Sequence, residues 1–127
     1  MQPHDPQLES PDTQHARIAP FPHHKLIAYE VALQLLRVIQ ATPLSDAESR
    51  KHAHESARSC ARNLAEGAGK RSRADKRRSY SIARGELCEA VASVEIDQAL
   101  GGCTEQHLQA VYLVGSRLNA MLASLVR

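Results

Sequence analysis

Apolar residues recur along this chain at spacings of three and four, the repeat of one face of an α-helix, and no stretch offers a strand candidate. The first predicted helix runs from about His23 or His24 to Gln40 and stops before Thr42-Pro43, because a residue preceding proline is pushed out of helical geometry. From Leu26 to Ile39 its only polar positions are Glu30, Gln34 and Arg37, which align in one narrow stripe and leave the rest of the circumference apolar. A helix that faces one core needs a much narrower apolar arc, so a second buried contact is expected. A subunit interface carried by Leu33 and Leu36 would supply it; a central place within its own bundle is the alternative.

The second predicted helix begins at Ser45, an N-cap with Glu48 three residues on in capping-box spacing, and continues to Glu66. Its apolar positions, among them Ala53, Ala57, Cys60 and Ala61, are small and bring a neighbouring backbone close. Asn63 reads as a buried, hydrogen-bonded residue that fixes register, and Gly67 as a left-handed C-cap. The third helix starts near Arg73, behind Ser72 as N-cap and Asp75 at the third position, and runs to about Leu100, where Gly101-Gly102 stops it. Tyr80, Ala83, Leu87, Val91 and Val94 share one face, and Ile82, Glu86, Glu89, Ser93, Ile96 and Leu100 another. Thr104 caps the last helix, in which Leu108, Val111, Gly115, Leu118, Leu122 and Leu125 form a heptad-like seam. Four helices on short turns predict an all-α, antiparallel up-down-up-down four-helix bundle over residues 23–127. Residues 1–22, with five of the six prolines and only isolated apolar side chains, read as a disordered N-terminal arm.

Charge changes this picture at one place. Lys70, Arg71, Arg73, Lys76, Arg77 and Arg78 surround the turn between the second and third helices, opposed locally by Asp75 alone. They crowd the positive end of a helix dipole, where cations cost stability, and this points to an anionic partner such as RNA or DNA. A solvated polar face is the plainer alternative. The overall formal charge of +2 is too mild to argue either way.

Candidate chemistry is sparse. Gly69-Lys70 lacks the rest of a phosphate loop, since Leu64 stands where a glycine is required and Arg71 where a Ser or Thr is. Glu86 and Glu89 could serve as an acid–base pair, but no Glu-x-x-His motif accompanies them, and they read better as ion-pair partners for arginines of neighbouring helices or subunits. Cys60, Cys88 and Cys103 are scattered, without a C-x-x-C pair, and are expected to be free thiols in a reducing cytoplasm. No apolar run approaches the roughly 20 residues needed to span a bilayer, so no membrane partner is expected. With 3% aromatic residues and no Trp, the core must be aliphatic, and a stacking platform for single-stranded nucleic acid is not evident. No catalytic residue, metal site or cofactor is predicted, and no enzyme.

The block Asn63-Leu64-Ala65-Glu66-Gly67, then Gly69 and Ser72, then Arg78, Ile82-Ala83-Arg84-Gly85 and Glu89, resembles the signature of a bacterial four-helix-bundle family first noticed as proteins encoded in intervening sequences of 23S ribosomal RNA genes. Leu26, Tyr29 and Ala32 fit its first helix, so the resemblance covers about Lys25 to Leu125. It implies a left-handed antiparallel bundle that forms ring-like homopentamers. The chain is also similar to accessory proteins of diversity-generating retroelements, pentameric barrels with basic surfaces that bind nucleic acid and a reverse transcriptase. Asn63, Glu66, Gly67, Gly69, Arg78, Gly85 and Glu89 match motif positions to which the family assigns no chemistry. The family usually has a Gln and an Arg early in helix two and a Ser after Gly85, where this chain has His52, Glu55 and Glu86. Two function classes follow: a non-enzymatic homo-oligomer that binds nucleic acid through its basic turn, with a reverse transcriptase or other protein as a further partner, and a protein-interaction scaffold with no nucleic-acid role.

Overall fold

Regularly spaced leucine, valine and alanine give each helix a buried stripe, and four such stripes close around one core. A computed structural model describes residues 19–127; the arm expected over residues 1–22 falls outside them up to residue 18. A 3-10 turn, Pro22–Lys25, leads into helices α1 (Ile27–Ala41), α2 (Ala47–Gly69), α3 (Arg73–Ala99) and α4 (Glu105–Leu125). Each helix packs on the next, α4 packs back on α1, and the described residues make no helix contact across either diagonal, the square of an up-down-up-down bundle. No strand occurs among them.

Val31, Leu35 and Ile39 of α1, Leu64 of α2, Leu87 and Val94 of α3, and Val111, Leu118 and Leu122 of α4 are at most 2% exposed. Burying each of these side chains contributes about 1.5–3 kcal/mol, so the aliphatic core carries the fold without large rings. The seam foreseen in the last helix is this stripe, with Leu125 half-buried at its end. The small residues of α2 give it the most extensive contact in the molecule, against α3. Helix α1 touches both α2 and α4, which accounts for much of its broad apolar surface, and leaves Leu33 and Leu36 half-buried.

Three local expectations change. The first helix is broken: Leu26 is extended at φ −95° and ψ 109°, so His23 and His24 belong to a separate 3-10 turn opened by Pro22. The cap of α2 is Asp46, not Ser45; its carboxylate accepts from the Ser49 N–H and hydroxyl at 2.9 and 2.7 Å, while the Ser45 N–H is taken by Asp97 at 2.9 Å. Gly67 is not left-handed, since Gly101 alone among the described residues has positive φ, at 85°. It is buried within α2, where an added Cβ would stand 2.7 Å from Cε1 of Tyr80. Close packing of a tyrosine, rather than backbone freedom, requires glycine there.

Asp97 holds the far end of the bundle together. It is wholly buried, with Oδ1 accepting from the Ser45 and Asp46 N–H groups at 2.9 and 2.7 Å and Oδ2 from that of Cys103 at 2.7 Å. One carboxylate thereby joins the α1–α2 and α3–α4 connections. Gly102 makes room for it, because a Cβ there would collide with Oδ2. Burial pushes this carboxyl up, but the N–H donors of Asp46, Cys103 and Ser45 more than offset it and hold it below the usual 3.8. Its signal in the sequence is an acid in phase with the buried stripe, after Leu87, Ala90 and Val94.

Candidate nucleic-acid interface

The basic run falls where α2 ends and α3 begins. Ser72 accepts the Asp75 N–H at 3.0 Å and so fixes the first turn of α3, from which Arg73, Arg77 and Arg78 project into water beside Arg71. All four arginines are exposed, and no carboxylate among the described residues pairs with any of them. The other two predicted cations have local duties. Lys76 is half-buried, and its Nζ donates to the Gly67 and Ala68 carbonyls at 3.3 and 2.9 Å, neutralising the negative end of the α2 dipole. Lys70 lies 3.5 Å from Glu66 one turn back in α2. A lysine near a preceding helix terminus is captured by carbonyls that the sequence alone does not place, which narrows the free patch to arginine.

The motif positions divide in the same way. Asn63 is half-buried and donates to the Ser59 carbonyl and hydroxyl at 2.8 and 3.2 Å, bonds within its own helix, so it does not set register with a neighbour. Gly69 is the exposed last residue of α2. Gly85 stands exposed in the interior of α3, with nothing within 4 Å of an added Cβ. Neither Glu86 nor Glu89 pairs with an arginine among the described residues, contrary to the expectation for neighbouring helices. The facing residues of α2 are small: Ser56 Oγ donates to Glu89 at 3.5 Å. A side-chain hydrogen bond to Glu86, and then the Glu86 charge, raise the Glu89 carboxyl above its ordinary value.

A second basic feature escaped the sequence reading. Arg50, His54, Arg58 and Arg62 recur every fourth residue along the side of α2 that meets α1, and line shallow recesses with Arg37, Leu36 and Tyr29. Burial, and then the charges of Arg58 and Arg50, lower the affinity of His54 for its proton. The four-residue spacing was the available signal, hidden because the side chains are spread one per turn along the helix instead of gathered in a run.

The described residues contain no group of three or more His, Cys, Asp or Glu side chains able to hold a metal ion. A groove of about 320 Å³ between α3 and α4 is lined by Leu87, Cys88, Val91, Tyr112, Gly115, Ser116 and Asn119, with no acid or imidazole in that lining. The three cysteines are free; Cys60 is buried, and burial followed by the Glu86 and Cys88 charges pushes its thiol up to about 12, far from a nucleophile's range. No described helix is long and apolar enough to cross a membrane.

Comparison with curated proteins finds no match. A protein-family model, described as 23S rRNA-intervening sequence protein, matches residues 25–124, from the last residue of the 3-10 turn almost to the end of α4. Spanning the whole bundle, the basic turn and the motif glycines, that match shows that the chain belongs to the 23S rRNA-intervening sequence protein family.

Proposed function

We propose that this protein is a non-enzymatic, self-associating bundle that binds nucleic acid through the backbone phosphates. The observation that carries the reading is the set of four exposed arginines, Arg71, Arg73, Arg77 and Arg78, around the amino-terminal turn of α3. Their charges oppose the helix dipole, and no carboxylate among the described residues offsets that cost. Phosphate oxygens match guanidinium groups in charge and geometry.

Self-association fits two further features. Leu33 and Leu36 stay half-buried on α1, and α3 carries an exposed stripe that includes Ile82, Gly85 and Ile96. Glycine in an exposed helix interior costs about 0.5–1 kcal/mol relative to alanine, and no contact among the described residues uses the space at Gly85. Close approach by a second copy would use it. A ring of such protomers would repeat the arginine patch and multiply a modest affinity.

The test is binding of labelled RNA and DNA duplexes across a salt series, for the native protein and a variant with Glu at Arg71, Arg73, Arg77 and Arg78. Native affinity should fall steeply with salt, and the variant should bind at least about a hundredfold more weakly, with a shallower salt slope by roughly 3–4 if all four contact phosphate. Absence of native binding at low salt would leave the protein-interaction scaffold as the better reading. For the assembly, light scattering should give a smaller mass for Leu36→Glu and for Gly85→Ala, the second of which should not weaken the isolated helix. Native mass in both variants would exclude these two faces.

A further inference from the structure

Four rings gather where the chain enters the bundle. Phe21 and His24 stack with centroids 5.5 Å apart and planes 1° from parallel, while His23 lies edge-on to His24 and to Tyr29, each at 4.6 Å. The 3-10 turn produces the cluster. Pro22 opens it, the Phe21 N–H donates to Nδ1 of His24 at 3.1 Å, and the His24 N–H returns to the Phe21 carbonyl at 3.0 Å. The cluster adds little to the core: no residue of the turn is buried and Phe21 is 61% exposed.

Its position gives it meaning. The turn packs on α2, and Tyr29 lines a recess with Arg62 and Ala65, in the half of α2 that runs into the basic turn. Rings and arginines therefore share one end of the bundle. Lys25 and Arg62 flank the rings; the described acids at this end are Glu30, Glu66 and Asp75, and Glu66 already pairs with Lys70. A duplex presents phosphates but keeps its base faces stacked inside, so it can use only the cations. A single strand offers phosphates and unpaired base faces together, and exposed rings bordered by arginine suit both.

We infer that this end is a single-strand site, in which an unpaired base stacks on Phe21, supported by His24, while Arg62 and the turn arginines hold the flanking phosphates. The inference rests on the nucleic-acid reading of the basic turn but depends on different residues, so the two can fail separately. The chain contains no Trp, which makes Phe21→Trp a unique fluorescent reporter at an exposed position.

The experiment measures anisotropy of a labelled, unstructured single strand and of the duplex made from it, with the native protein, Phe21→Ala and the four-arginine variant. Phe21→Ala should weaken single-strand binding about tenfold and leave duplex binding within twofold, while the arginine variant loses both. The Phe21→Trp emission should be quenched by the single strand and not by the duplex. Unchanged single-strand affinity in Phe21→Ala, with loss of both in the arginine variant, would overturn the stacking site and leave the phosphate reading intact. Equal weakening for single strand and duplex would also overturn it, by assigning Phe21 a structural role. Failure of the native protein to bind either polymer would remove both readings.

Discussion

At the end of the bundle where the α1–α2 and α3–α4 connections meet, Asp97 is wholly buried and takes hydrogen bonds from the N–H groups of Ser45, Asp46 and Cys103. At the opposite end Arg71, Arg73, Arg77 and Arg78 stand in water, without a carboxylate beside them among the described residues. The first charge is satisfied by the fold and serves it. The others are carried against a helix dipole and pair with no acid among the described residues. A charge that costs stability and stays exposed is open to a partner, as proposed above; a charge enclosed by its own backbone holds the fold together.

The sharpest way to break this contrast is to remove each charge and measure stability. Asp97→Ala leaves three backbone N–H groups without their acceptor and should lower unfolding free energy by about 3 kcal/mol or more in urea titration. Asp97→Asn, which keeps an acceptor oxygen, should lose less. The Asp97 carboxyl lies below its ordinary value of 3.8 in the folded state, so its stabilisation is present above that pH and drains away as pH falls through the folded value. The native protein should therefore lose stability on acidification more steeply than Asp97→Asn. Substituting the four arginines should leave the melting temperature unchanged or slightly raised. A loss there comparable to that of Asp97→Ala would show that the basic end is structural too.

Gly67→Ala should follow in size. The new Cβ would meet Cε1 of Tyr80 at 2.7 Å and Cβ of Ser79 at 3.0 Å, and overpacking of this kind costs about 1–3 kcal/mol. Because Gly67 has no positive φ, the variant loses through contact and not through backbone strain. Tyr80→Leu in the same background should recover part of the loss, which a backbone effect would not allow.

These two sites also show what a sequence discloses. The four helices, the α4 seam and the small-residue contact of α2 were legible because periodicity is a local property that survives folding. Gly67 was recognised as necessary but for the wrong reason, since a glycine satisfies left-handed geometry and close packing alike and only the position of Tyr80 separates them. Ser45 fitted the cap by its spacing to Glu48, but the side chain that caps is Asp46, one residue on, which spacing alone does not separate. The arginines were visible as a run, whereas the capture of Lys76 by the α2 carbonyls was not. The ring cluster stayed hidden because Phe21 fell in the expected arm and Tyr29 in a helix, and the 3-10 turn that joins them depends on the break at Leu26.

Within the basic end itself, Ser72 separates structural from displayed polarity. Its hydroxyl caps α3 through the Asp75 N–H at 3.0 Å, so Ser72→Ala should cost about 1 kcal/mol of stability. Duplex affinity measured below the unfolding transition should stay within about twofold, since the arginines remain. A large loss of binding in a folded Ser72→Ala protein would instead make the hydroxyl part of the contact surface.

The smallest expected effect concerns Glu86, the residue after Gly85 in α3. Its carboxyl, through a side-chain hydrogen bond and then its charge, raises Glu89 above the ordinary value of 4.5. With the folded value raised, the proton-bound form is favoured at low pH, and mutual repulsion appears as pH rises through the Glu89 titration. Glu86→Ser should bring the Glu89 titration, followed by carbon-13 NMR of the side-chain carboxyl, back toward 4.5 with little change in stability, because both groups are partly or fully open to solvent. If Glu89 stays raised in that variant, desolvation, not the second carboxylate, sets its proton affinity. Either way the outcome bears on the contrast between the two ends: Asp97 keeps its charge because backbone N–H groups surround it, whereas Glu89 is raised by a second carboxylate with no arginine among the described residues to offset it.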